Sequence, residues 1–245
     1  GSKCEAAKEA GAVVASSPAE VVAACDVTFV MLSNSAVTLS VYREPDTGVL
    51  AGVAPGKSVI DCASLDAATM RQLGDLVIDK GGKFLSAPVA GHSGMAANAT
   101  CQFICGGDEA LYDSIGDALD AMSKNKVYVG TDVGAASNHK VVLNGVLAKI
   151  TASFAEGLCQ ADQAGLDVEK FKEIVDGHAM NSPLLQLCYK MMSTNEHKSL
   201  FMLQHMEKDA RLANELAESI GQPSPVTAAT LEAYSAAKED GRWNE

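Results

Sequence analysis

Up to Val129 the sequence alternates short apolar runs with capped amphipathic stretches; from Ala135 to Ala164 it becomes one proline-free run with apolar residues at helical spacing. In the first half, Ser17-Pro18-Ala19-Glu20 is a capping box with proline at the first helical position, and Asp26–Leu32 is a buried strand ending in the polar loop Ser33-Asn34-Ser35. Val59–Cys62 is a second strand. Asp66 opens a helix over 67–80, which Gly81-Gly82 stop. Lys83–Pro88 and Cys101–Cys105 are further extended pieces. Asp108 caps a helix to about Met122, and Val127-Tyr128-Val129 closes the series. Strands separated by helices predict an α/β domain with a mostly parallel sheet covered on both faces. The later half predicts an all-α domain, with helices over 168–176, 182–192, 202–220 and 225–238 after the long one. The division falls near Asp132, giving domains over 1–132 and 133–245, and residues 240–245 read as a loose end. The long helix is apolar on more than one face, which suits the spine of a helical domain or a surface buried against a twin subunit.

Charge narrows the function classes. Nineteen Lys and Arg against 31 Asp and Glu give a net charge of −12, so nucleic acid and anionic membranes are poor partners. An anionic small substrate stays open, because local charges can oppose the global sign. No apolar stretch reads as long enough to insert in a bilayer, and the start is neither a secretory signal nor a transit peptide. Seven cysteines, an odd number without a CxxC pair, read as free thiols in a reducing compartment. That places the protein in cytoplasm, organelle matrix or stroma rather than outside the cell. The five histidines (His92, His139, His178, His197 and His205) are scattered and no HExxH or GxSxG occurs, so no metal site or nucleophile elbow is predicted.

The remaining chemistry concentrates at a few places. Lys140 and Asn144 are one helical turn apart on the long helix, just past the division, where a cleft between a sheet and a helical domain would lie. A buried lysine there can give a proton to a carbonyl oxygen under reduction; on spacing alone, the pair reads equally as a surface lysine beside a solvated asparagine. Lys208-Asp209 with Arg211 is a second cluster, which alone is a solvated helix face, and Phe201 upstream fits a core position. Leu32, Ser33 and Asn34 follow one strand and Ser64 and Asp66 another, on the rim where doubly wound sheets bind ligands. In Pro88-Val89-Ala90-Gly91-His92, glycine lets backbone amides approach an anion, while His92 suits acid–base work or plain solvation.

The order of these segments, "DVTFVMLSN", "GVAPGKSVIDCASLDAAT", "GGKFLSAPVAG", "GGDEALY", "VGAASNHKVVLN" and "KDARLANELAESIGQPSPVTAA", resembles the β-hydroxyacid dehydrogenase family, in particular its glyoxylate and succinic semialdehyde reductases. The resemblance runs from about Lys3 into the C-terminal region. It implies a Rossmann-type doubly wound sheet followed by an all-α domain, a homo-oligomer, and NADP(H) or NAD(H) as cofactor. It puts the catalytic lysine on Lys140 and its partner on Asn144, which overturns the surface reading of that pair. It puts Lys208 beside the cofactor with Leu32, Ser33, Asn34 and Ser64, and Asp209, Phe201, Ala90, Gly91 and His92 at the substrate. Several positions depart from the family pattern. Asp61-Cys62-Ala63-Ser64 replaces Asp-x-Ser-Thr, and Ala90 stands where a substrate-holding serine is usual, a donor whose removal can cost about 2.7–4 kcal/mol of transition-state stabilisation. Ala99 and Ala136 replace glycines. The first βαβ unit with its GxGxxG is not among these segments, so either a longer native protein carries it, roughly 30 residues, or another chain covers the gap. The two readings are a NAD(P)H-dependent reductase of a small aldehyde or 2-oxo acid, and a catalytically impaired homologue serving as a structural subunit of a larger assembly.

Overall fold

A computed structural model describes residues 4–193 and 200–242, so the predictions for His197 and for 243–245 fall outside the described residues. In chain order the elements are α1 (Glu5–Glu9), α2 (Pro18–Ala24), β1 (Val27–Val30), α3 (Ser35–Arg43), α4 (Val49–Gly52), β2 (Ser58–Asp61), α5 (Ala67–Asp79), β3 (Lys83–Ser86), β4 (Val89–Ala90), α6 (Ser93–Ala97), β5 (Cys101–Gly107), α7 (Glu109–Ser114), α8 (Gly116–Met122), β6 (Ser123–Tyr128), α9 (Val133–Gln163), α10 (Val168–Asp176), α11 (Pro183–Ser193), α12 (Leu203–Ser219) and α13 (Pro225–Ala237). They fall into two compact units, one of residues 1–91 and 95–140, the other of 92–94 and 141–245. The boundary runs inside α9.

The first unit is a mixed sheet between helices. Strands pair in the order β1-β2-β3-β5-β4, with β6 on β5. β1, β2 and β3 are parallel, in the register Phe29↔Ile60 and Ile60↔Leu85. β5 then runs antiparallel to β3, with Ser86 opposite Gly106, and β6 returns parallel to β5. The reversal follows from β4, which folds back on β5 through Ala90↔Gln102 within a short connection instead of a helical crossover. Alternate strand residues serve opposite faces. Val30, Val59 and Phe84 pack with Val22, Tyr42, Leu73 and Val77; Ile60, Leu85 and Cys105 pack with Leu111, Ile115 and Leu119. Burial on both faces explains why these strands read as continuous apolar runs.

Local capping sets the helix starts. Ser17 accepts the Glu20 amide, Asp66 the Thr69 amide and Asp108 the Leu111 amide. The helix predicted from Asp108 to Met122 is interrupted at Ile115, giving α7 and α8. At the start of α9, a Cβ on Gly134 would lie 2.5 Å from the Arg71 Cζ. The missing side chain is what lets the guanidinium reach Asp132, with Nε–Oδ1 at 2.9 Å and Nη2–Oδ2 at 2.6 Å.

The second unit is helical. Ala148, Met206 and Ala210 form a buried hydrophobic cluster in it, flanked by Leu147, Leu231 and Tyr234. The Tyr234 hydroxyl donates to the Ala148 carbonyl at 3.1 Å, and a Cβ on Gly145 would lie 2.8 Å from the Ala213 Cβ, so α9 runs close against both α12 and α13. One expectation needs correction: α9, at 31 residues, is long and apolar enough by length and composition to cross a bilayer. Its inner face is nevertheless committed to protein, with Val141, Asn144 and Ala148 buried.

Candidate functional site

Parallel strands present their carboxyl ends to one rim of the sheet, and two loops there are tied together. After β1, Leu32 and Asn34 are half-buried and Ser33 is exposed. Asn34 caps α3 by accepting the Val37 amide at 2.9 Å. The next residue, Ser35, donates its hydroxyl to Asp66 at 2.8 Å, joining the β1 loop to the β2 loop. Asp66 also accepts the Thr69 amide and hydroxyl, both at 2.7 Å. Burial pushes the Asp66 carboxyl up, but these hydrogen bonds from Thr69 and Ser35 outweigh it and hold the group below the usual carboxylate range. Ser64 lies half-buried between Asp66 and the fully buried Asp61.

After β3, the buried pair Ala87-Pro88 leads to Ala90 on β4, half-buried. Gly91 adopts φ +150°, and a Cβ there would lie 2.6 Å from the Cys101 Sγ. Glycine is required at this turn on both counts. Burial pushes the Cys101 thiol up while the Lys140 ammonium opposes the shift, which puts Cys101, Gly91 and Lys140 in one neighbourhood of the first unit. His92, half-buried, folds over its own loop: its Nδ1 is buried without a partner, and Gly94 lies close to the ring.

On α9, Ser137, Lys140, Val141, Asn144 and Ala148 share the buried face, with Lys140 only 4% and Asn144 5% exposed. The Asn144 Nδ2 donates to Asp209 Oδ2 at 2.5 Å, and Lys208 Nζ lies 3.2 Å from Asp209 Oδ1. Asp209, 2% exposed, therefore balances one cation and one amide in a protected place. The structure thus unites Asn144 with Asp209, 65 residues on in sequence, and with its neighbour Lys208, and Lys140 stands one turn, about 6 Å of helix rise, before Asn144 on the same face. Phe201, 39% exposed, precedes α12 with its ring tilted against His205 at 5.9 Å. His139 Nδ1 contacts the Ala135 carbonyl at 2.8 Å, a local helix contact away from the Lys140 face. Among the described residues no group of His, Cys, Asp and Glu is arranged to hold a metal ion.

Two participants escaped the sequence reading. Asp61 was legible only as the first letter of a motif, and Tyr42 lies on α3, an element the reading did not anticipate. The Tyr42 hydroxyl donates to Asp61 Oδ2 at 2.8 Å and the Ala63 amide to Oδ1 at 2.9 Å. The available signal was Asn34 as a cap ahead of an apolar residue every third or fourth position, which predicts α3 and its inward-facing Tyr42.

Comparison with known proteins matches two stretches of the chain to described families. Residues 1–130 match the family described as the NAD binding domain of 6-phosphogluconate dehydrogenase, and residues 134–244 that described as the NAD-binding domain of NADP-dependent 3-hydroxyisobutyrate dehydrogenase. The glyoxylate/succinic semialdehyde reductase 2, chloroplastic, of Arabidopsis thaliana is 36% identical over 244 residues, spanning 100% of this chain and 68% of the relative. The cytokine-like nuclear factor N-PAC of Gallus gallus is 33% identical over 237 residues, 96% of this chain and 42% of the relative. Among solved structures, the 3-hydroxyisobutyrate dehydrogenase of Mycobacterium tuberculosis in complex with L-serine superposes with a TM-score of 0.82 at 27% identity, covering 95% of this chain and 80% of that one. The order of strands, the long helix and these matches together make one conclusion plain: the chain belongs to the β-hydroxyacid dehydrogenase family, whose fold binds NAD(P).

Proposed function

We propose that the protein is a NAD(P)H-dependent reductase of a small aldehyde or 2-oxo acid, of the glyoxylate and succinic semialdehyde type. The observation that carries this reading is the buried face of α9, where Lys140 stands one turn before an asparagine fixed by Asp209. Such burial has little structural use for a lysine and suits a proton donor. The rim residues fit a dinucleotide: Leu32, Ser33, Asn34 and Ser64 lie at the ends of parallel strands, with their loops pinned by the Ser35–Asp66 hydrogen bond, and Lys208 supplies a cation. We assign cofactor binding to residues 1–132, a further cofactor-binding role to Lys208, and the catalytic helix to 133–245.

When bound, the nicotinamide cofactor would supply the hydride. Lys140 delivers a proton from Nζ to the carbonyl oxygen, so that the carbonyl becomes an alcohol and the lysine is left neutral until it regains a proton from solvent. Asn144 holds the substrate oxygen beside it, its own amide fixed by Asp209. Gly91 offers backbone to a carboxylate, with Ala90 leaving room where a hydroxyl is usual, and His92 and Phe201 are assigned substrate contacts. Val142, Leu143, Val146 and Ile150 leave an apolar stripe exposed on α9, which supports a homo-oligomer. Seven free cysteines support a reducing compartment, cytoplasm, matrix or stroma.

A second reading, an impaired homologue serving as a structural subunit, draws on Ala90 and on the likeness to a protein named as a nuclear factor. NADPH titration followed by glyoxylate and succinic semialdehyde turnover separates the two: binding with turnover supports the reductase, and binding without turnover supports the subunit.

A further inference from the structure

Beneath the cofactor rim lies a pair of ionisable side chains with no part in the proton transfer. Tyr42 and Asp61 are both fully buried, one from α3 and one from the last position of β2. The two carboxylate oxygens are divided between two tasks. Oδ2 receives the Tyr42 hydroxyl at 2.8 Å, and Oδ1 receives the amide of Ala63 at 2.9 Å, two residues ahead. The second bond closes a side-chain turn that fixes the course of Cys62, Ala63 and Ser64 as the chain leaves the sheet. The first keeps the carboxylate from rotating out of that turn. Tyr42 faces it from α3 and Cys62 from the turn itself, and these are the titratable groups that sense Asp61. The far side of the turn is held separately, by Asp66 through Thr69 and Ser35.

A buried acid in a strand end is an expensive way to cap a helix, and Asp66 already caps α5. What Asp61 fixes instead is the backbone of the turn that carries Ser64. We propose that Tyr42 and Asp61 are positioning residues which hold the Cys62-Ala63-Ser64 turn in place to receive the nicotinamide cofactor. This rests on the reductase reading for the identity of the ligand, but the turn and its two hydrogen bonds stand on the geometry alone. In this chain the role is sharpened by sequence, since Ala63 has no hydroxyl to fasten the turn from its own side chain. Neutral and ionised Asp61 can both keep the two partners, because the tyrosine hydroxyl donates to a carboxylate and accepts from a carboxylic acid. An asparagine can do the same, its oxygen taking the Ala63 amide and its NH2 donating to Tyr42.

The test uses Tyr42→Phe, Asp61→Asn and Asp61→Ala in the full protein, with three readouts: hydrogen exchange at the Ala63 amide, the Kd for NADPH by fluorescence, and kcat at saturating NADPH. Tyr42→Phe is expected to weaken NADPH binding about tenfold, the loss of one hydrogen bond to a charged group, and to speed exchange at Ala63, while kcat changes less than about twofold. Asp61→Ala moves both in the same direction and further, and Asp61→Asn recovers most of the loss. Should Tyr42→Phe and Asp61→Ala lower Tm yet leave Ala63 exchange and the Kd as in the unmodified protein, the pair is only structural and the inference fails. An unmodified protein that binds no NADPH overturns the reductase reading and the cofactor half of this inference together, whereas normal binding with unmoved variants overturns this inference alone.

Discussion

Lys140 and Asp209 owe their properties to burial more than to sequence neighbours. A lysine left 4% exposed needs a reason to be there, and proton donation gives one: Lys140→Ala is expected to lower kcat by 10²-fold or more, roughly the worth of a positioned acid, with NADPH affinity changed little. Asp209→Ala removes the acceptor of the Asn144 amide and the counter-charge beside the Lys208 ammonium, and it should cost about 3 kcal/mol of stability, measured by urea denaturation, together with a loss of kcat. Asp61 gives a pH signature. Burial raises its carboxyl from 3.8 to about 6, partly offset by the Ala63 amide and the Tyr42 hydroxyl. The folded protein therefore binds the extra proton between those values, so this stabilising contribution is fully present below about pH 4 and is lost as pH rises through about 6. The difference in unfolding free energy between wild type and Asp61→Asn should fall by at most about 3 kcal/mol over that interval. Asp66 and Asp132, whose carboxyls lie below the ordinary range, change stability only at lower pH and leave the window clear. Lys140 and Asn144 were visible in the sequence as a spaced pair. Their neighbour Asp209 showed only as part of a charged run, because the bond that recruits it spans 65 residues.

At the level of elements, whatever was written locally was legible. Ser17, Asp66 and Asp108 each stand where a cap must, and each accepts the amide that the pattern predicts. Asp66→Ala should accordingly cost about 1–2 kcal/mol, and more than a plain cap, since Ser35 and the Thr69 hydroxyl lose their acceptor too. What local pattern could not give was strand direction. β5 has the same apolar composition in either sense, and its antiparallel pairing with β3 is decided by the short return through β4. α3 was overlooked although Asn34 offered its cap, because it follows a polar loop and its buried side, Thr38 and Tyr42, is half polar. The close approach of Arg71 to Gly134 was likewise unreadable, because it joins α5 to the start of α9 across 63 residues of sequence.

For the whole molecule, the change of pattern at Gly134 marks the architecture, an α/β unit followed by a helical one, and the family resemblance pointed to its chemistry only because many segments occur in order. The exposed apolar stripe on α9 belongs to this scale as well. Val146→Glu, at its centre, is expected to shift the mass measured by light scattering from oligomer to a smaller species while leaving the circular dichroism of the monomer intact. The central claim, that this buried lysine serves a nicotinamide-dependent reduction, is tested most directly by NADPH fluorescence titration followed by glyoxylate and succinic semialdehyde turnover in the unmodified protein and in Lys140→Ala. Micromolar NADPH binding is expected in both, with turnover that falls by about 10²-fold or more in the variant. A folded protein that binds no NADPH, or turnover that falls less than about tenfold on loss of Lys140, would contradict this claim.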